Sequence, residues 1–127
     1  MSSQPGSVPS IDARTAAARL VADDPVPILI DVRETIEFAS GRAPEAVLIP
    51  LSGLATRIDE LPKDRPLFIV CQVGQRSARV AEYLLQNGWS DVHNIEGGMD
   101  AWQRAGLPVR QGAPTREELD RGPNAPD

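Results

Sequence analysis

The sequence predicts an α/β domain with a mainly parallel sheet, on three observations. Short, almost continuously apolar runs of strand length alternate with stretches of helical periodicity. The runs lack the polar alternation of a half-solvated sheet, so both strand faces are covered. Glycines stand where several of the helices should stop.

Asp12 is placed to cap a helix through Ala13–Leu20. Ile28–Val32 follows as a buried-type strand, and a short helical piece over Glu34–Ser40 stops at Gly41. Val47–Ile49 is a second short strand, closed by Pro50. Leu51, Leu54, Ala55, Ile58 and Leu61 fall at helical spacing. Leu67–Val70 is another strand, and Ser77–Asn87 an amphipathic helix with Val80, Ala81, Leu84 and Leu85 on one side and Gly88 as its stop. Val92–Ile95 is the last strand, after which Gly97 and Gly98 turn the chain into a helix containing Met99, Ala101 and Trp102.

A length of 127 residues suits one domain with a modest core. Residues 1–7 read as a loose, flexible tail, 8–109 as the domain, and 110–127 as a polar C-terminal tail. Thr115–Glu118 has capping-box spacing, but few apolar residues accompany it. The expectation is a mobile or peripheral segment, with Glu117, Glu118 and Asp120 solvated. The net charge of −5 and the absence of a basic cluster argue against nucleic acid as a partner. No apolar run approaches membrane-spanning length, and Met1–Ser10 lacks the pattern of a signal peptide. A reducing cytoplasm is the expected compartment. One cysteine and one histidine allow neither an internal disulfide nor a structural zinc site, so no metal and no cofactor is expected.

The chemistry concentrates in Cys71-Gln72-Val73-Gly74-Gln75-Arg76-Ser77, which joins a buried strand to a helix. In open parallel sheets ligands bind beyond the carboxyl ends of the strands. A tight loop there turns successive amides inward as an anion-binding concavity, and the following helix adds its positive end. Gly74 permits the turn, and Arg76 brings a permanent charge with planar donors. Together they favour the thiolate of Cys71 and would stabilise the outer sulfur of a persulfide. The competing reading of Cys71 is a small hydrophobe ending a core strand. His93 is expected to be structural, and Trp89 and Trp102 to be packing residues.

Three blocks resemble the rhodanese family. Leu29–Glu34 with Glu37, Phe38, Gly41 and Pro44 resembles its first signature. Cys71–Ser77 resembles its active loop, and Ile95–Trp102 followed by Gly106–Val109 its closing signature. The resemblance implies a parallel five-stranded sheet with helices on both faces. It also implies a sulfurtransferase whose cysteine takes sulfane sulfur from a donor and yields it to a nucleophilic acceptor. Mapped here, Cys71 is the nucleophile, and the amides of Gln72, Val73, Gly74, Gln75, Arg76 and Ser77 bind the sulfur. Arg76 holds an anionic donor, while Asp31 and Arg33 support the sheet end. The implied partners are a small sulfur donor such as thiosulfate or a persulfide, a thiol or cyanide acceptor, and a protein acceptor as a further candidate.

Related phosphatases of this fold place five residues between cysteine and arginine, whereas four lie between Cys71 and Arg76. The shorter loop suits one sulfur atom, leaving phosphatase or arsenate reductase chemistry as the minor alternative. Rhodanese-like modules that only bind proteins typically lose the cysteine, which this chain keeps; a sulfur-carrying interaction module stays open. The chain departs from the family at Gly41-Arg42-Ala43-Pro44, where histidine usually stands in place of Arg42. Arg42 either adds charge at the pocket rim or faces water, and solvation is the expectation.

Overall fold

The computed structural model describes residues 8–123. The loose tail expected over 1–7 lies outside the described residues, as do 124–127. The apolar runs form the centre of a five-stranded, all-parallel sheet in the order β1-β5-β4-β2-β3. Its strands are β1 (Ser10–Ile11), β2 (Ile28–Asp31), β3 (Val47–Leu48), β4 (Leu67–Val70) and β5 (Val92–Ile95). The edge strand β1 carries no apolar run and was not expected from the residues themselves. Only the register Ser10 to Asn94 and Ile11 to Ile95 makes it a strand.

Strand alternation divides the core into two layers. Ile28 and Ile30 of β2 and Leu67, Ile69 and then Cys71 along β4 face one layer, together with Leu54, Val80, Ala81 and Leu84. Leu29, Phe68 and Val70 face the other, with Ala16, Leu20, Phe38, Met99 and Trp102. Helices therefore cover both faces: α3 (Leu54–Arg57) and α4 (Gln75–Gln86) on one, α1 (Ala13–Ala22), α2 (Thr35–Ser40) and α5 (Gly98–Arg104) on the other. Asp12 caps α1, its Oδ1 accepting from the Thr15 amide at 2.8 Å. The helix expected over 51–61 is broken into 3-10 turns at 51–53 and 58–60 around α3. Trp89 and Trp102 pack in the core, donating through their indoles to the carbonyls of Leu61 and Pro108. His93 stacks edge-on against Phe68 and sits 2.9 Å from Asp91. Among the described residues no helix is long and apolar enough to cross a membrane.

Two expectations about the C-terminal segment are corrected. Arg42 does not face water: it is 1% exposed, and Glu118, expected to be solvated, is 3% exposed. The Thr115 capping box closes a short helix, α6 (Arg116–Asp120), and swings Glu118 onto Arg42. The contact is bidentate, Nε to Oε2 at 2.7 Å and Nη2 to Oε1 at 2.8 Å. Arg42 also donates to the carbonyls of Phe38 and Gly112 and lies over the Phe38 ring. A backbone bridge between Arg42 and Arg110 ties in the start of the segment. Polar composition did not leave this stretch free, because its carboxylate meets a buried cation with matching fork geometry.

That pairing sets a pH dependence. Hydrogen bonds from Arg42 hold the Glu118 carboxyl down at about 2, from an ordinary 4.5. The folded value lies below the unfolded one, so the stabilisation is complete above pH 4.5 and drains away as pH falls from 4.5 toward 2. Glu118→Gln, which cannot ionise, is expected to lose stability less steeply across that window than the unsubstituted protein. Equal slopes in urea-unfolding free energy against pH would refute the assignment.

Candidate active site

The sheet order reverses direction between β2 and β4, and the crevice beyond their carboxyl ends is where the site forms. After β4 the chain enters the loop Cys71–Gly74, and Gly74, at φ +103°, caps α4. The helix therefore begins at Gln75, two residues earlier than expected, which turns its first amides toward the loop.

Cys71 Sγ receives the Gly74 amide at 3.1 Å and the Ser77 amide at 3.3 Å, with the Ser77 hydroxyl oxygen 3.2 Å away. Of the amide ring expected from 72 to 77, these two reach the sulfur itself. The sulfur is not open to solvent at rest, since Cys71 has 0% exposure. Alternation along β4 explains this, because it aims the side chain into the layer under α4. Val73, by contrast, is 53% exposed at the loop's outer edge, and Gln75 also faces outward.

Arg76 does not stand free for an anion. It forms a bidentate pair with Glu37 of α2, at 2.9 and 2.7 Å, with both side chains part-exposed. The Arg76 hydrogen bonds hold the Glu37 carboxyl near 2, and reciprocally raise the guanidinium's pKa. An anionic ligand at Arg76 must therefore compete with Glu37.

Asp31 and Arg33 close the site from the β2 side. Both are buried, and Arg33 Nη2 meets Asp31 Oδ2 at 2.8 Å. The same guanidinium donates to the carbonyls of Gly41 and Glu37 and to Gln72 Oε1 at 3.0 Å. Gln72 passes the strut on, its Nε2 donating to Asp100 Oδ1 at 2.6 Å. Arg42 lies apart from this network, under α6.

Residues missed by the sequence reading complete the loop's support. Met99 and Asp100 donate their amides to the carbonyls of Cys71 and Gln72 at 2.8 and 3.1 Å. That approach needs Gly98, at φ +58°, because a Cβ there would meet those same carbonyls. Asn94 accepts from the Ser77 hydroxyl at 2.5 Å and donates to the Gly74 carbonyl at 3.2 Å. A signal for Asn94 existed: alternation along β5 places it on the face of Val92, so a polar group there must be buried and paired. Gly98→Ala is expected to cost about 2 kcal/mol or more in unfolding free energy, through positive φ and the displaced loop. It should also slow Cys71 alkylation. An unchanged melting temperature would remove Gly98 from this role.

Comparisons with known proteins agree with this architecture. A family model, the Rhodanese-like domain, matches residues 12–105. A protein named sulfurtransferase from Allochromatium vinosum is 40% identical over 102 residues, covering 80% of this chain and 94% of that one. The crystal structure of a rhodanese-like domain protein from Staphylococcus aureus superposes with a TM-score of 0.70 at 39% identity, over 81% of this chain and 99% of that one. A rhodanese-related protein from Thermoplasma volcanium gives 0.69 at 32% identity, over 80% and 97%. Fold, loop and matched sequence lead to one assignment: the chain belongs to the rhodanese-like domain family.

Proposed function

We propose that this protein is a sulfurtransferase that carries sulfane sulfur on Cys71 as a persulfide. The observation that carries the reading is the convergence of two backbone amides on Cys71 Sγ, with the Ser77 hydroxyl within reach. An inert core cysteine needs no such donors, whereas a sulfur anion does. In loading, the Cys71 thiolate bonds to the sulfane sulfur of a donor, the donor's own bond to that sulfur breaks, and the leaving group departs with the electron pair. With thiosulfate that group is sulfite; with a persulfide it is a thiolate. A thiol or cyanide then takes the outer sulfur and returns the thiolate, as in thiol–disulfide exchange. Arg76 receives the donor's charge after exchanging Glu37 for it. The sulfurtransferase name of the Allochromatium relative supports the class of reaction. The short Cys–Arg spacing speaks against phosphoryl transfer.

One observation favours a second reading. Cys71 has no exposed surface, as suits a protein-interaction module whose cysteine is only packing. The test is intact-protein mass spectrometry after thiosulfate or a small persulfide. A gain of one sulfur atom, lost on cyanide with formation of thiocyanate, is expected. No gain with any donor, and no thiocyanate, hands the case to the interaction module.

A further inference from the structure

The Ser77 hydroxyl sits between two acceptors and carries a single proton. Its Oγ is 2.5 Å from Asn94 Oδ1 and 3.2 Å from Cys71 Sγ. The orientation of the Asn94 amide is not free. Its other end meets the carbonyl of Gly74, which can only accept, so Nδ2 must face Gly74 and Oδ1 must face Ser77. The short contact to Oδ1 is thus made by the Ser77 proton, and at that moment Cys71 cannot also receive it. Ser77 and Asn94 are both buried, so water does not supply a substitute donor.

We propose that Asn94 is a positioning residue for the reaction at Cys71, acting through Ser77. It holds the Ser77 proton while Cys71 is protonated or carries an outer sulfur, and yields it to Sγ when the sulfur becomes an anion. The reading rests on Cys71 being the reacting group. In the protonated state the thiol donates to Ser77 Oγ, which donates to Asn94. When the Cys71 thiolate attacks a donor, Sγ bonds to the sulfane sulfur as the donor's bond to it breaks and the leaving group takes the pair; Sγ loses its negative charge and the Ser77 O–H turns back to Oδ1. When an acceptor removes the outer sulfur, the Sγ–S electron pair stays on Sγ and the same O–H turns toward it. The thiol proton passes to solvent when Cys71 ionises, the Ser77–Asn94 pair keeps its own proton throughout, and no oxidant or reductant takes part. Asn94 thus competes with the sulfur anion for one donor.

The charged groups around the loop are held elsewhere. Arg76 is paired with Glu37, Asp31 with Arg33, and Asp100 accepts from Gln72. Substitution at Asn94 leaves each of these contacts in place but also removes the donor to the Gly74 carbonyl, so the hydroxyl's part is read against a Ser77→Ala background.

The experiment is a double-mutant cycle on the rate of Cys71 alkylation by iodoacetamide across pH, which requires no sulfur donor. Ser77→Ala should slow alkylation at neutral pH about tenfold, the loss of one charge-assisted hydrogen bond. Asn94→Ala should speed it several-fold and move the profile to lower pH. In a Ser77→Ala background Asn94→Ala should do nothing, and Ser77→Thr, which keeps a hydroxyl, should restore the dependence. Equal effects of Asn94→Ala in both backgrounds would show that Asn94 only props up Gly74, and would overturn the proposal; so would no effect in either. A reading free of variant folding comes from the unsubstituted protein. Its Asn94 side-chain amide signals in NMR should move as Cys71 ionises, and signals that stay fixed overturn the proposal as well. Coupling without any sulfur uptake would defeat the sulfurtransferase reading alone.

Discussion

Cys71→Ser is expected to take up no sulfur from thiosulfate or persulfide donors and to make no thiocyanate above background. The substitution separates chemistry from architecture. Serine is close to cysteine in shape, and the amides of Gly74 and Ser77 that meet Sγ at 3.1 and 3.3 Å would still find an acceptor. The melting temperature should therefore change little. What disappears is the soft, ionisable nucleophile. A hydroxyl stays protonated at neutral pH, and among the described residues its hydrogen-bond partners, the Gly74 and Ser77 amides and the Ser77 hydroxyl, include no base to activate it. Intact mass and thiocyanate colour report the two half-reactions separately. Retained transfer in Cys71→Ser would move the chemistry away from this loop altogether.

The largest structural effect is expected at Arg33. Replacing it with alanine leaves the carboxylate of Asp31, at 0% exposure, without its partner. It also frees the carbonyls of Gly41 and Glu37 and one end of Gln72. Breaking one side of a buried ion pair costs about 3–5 kcal/mol, a large share of the stability of a domain this size. The urea-unfolding midpoint measures it directly. Replacing both partners, Asp31→Asn with Arg33→Met, should recover at least half of the loss, because no unpaired charge then stays in the core. Should Arg33→Ala unfold at the same urea concentration as the unsubstituted protein, the strut between β2 and the loop carries no weight.

How much of this was legible depends on the range over which each feature is encoded. β2, β4 and α4 are local: short, mostly apolar runs, a 3.6-residue stripe and Gly88 specify them within a few positions. Cys71, Gly74 and Ser77 lie close together along one short stretch, from the loop into the first turn of α4, and could be read as a site from their order alone. The two-residue β1 is set by its pairing with β5, which no property of Ser10 or Ile11 announces. The Arg42–Glu118 pair spans 76 positions, and each partner alone resembles a surface charge. The Glu37–Arg76 pair spans 39, so a guanidinium expected to await an anion turned out to hold one of the protein's own. The burial of Cys71 was legible in principle, since it continues the inward phase of Leu67 and Ile69.

The anchoring of the loop by Met99 and Asp100 has a consequence for how reagents reach the sulfur. Those two amides pin Cys71 and Gln72 from beneath, and from Gln75 onward the chain is wound into a twelve-residue helix. Between those clamps Gly74 is itself tied, to Cys71 Sγ, Asn94 and Ala78, which leaves Val73 as the exposed residue of the loop. Since Cys71 has no exposure at rest, a reagent reaches the sulfur only when this anchored loop moves, and Val73 already stands at its solvent edge.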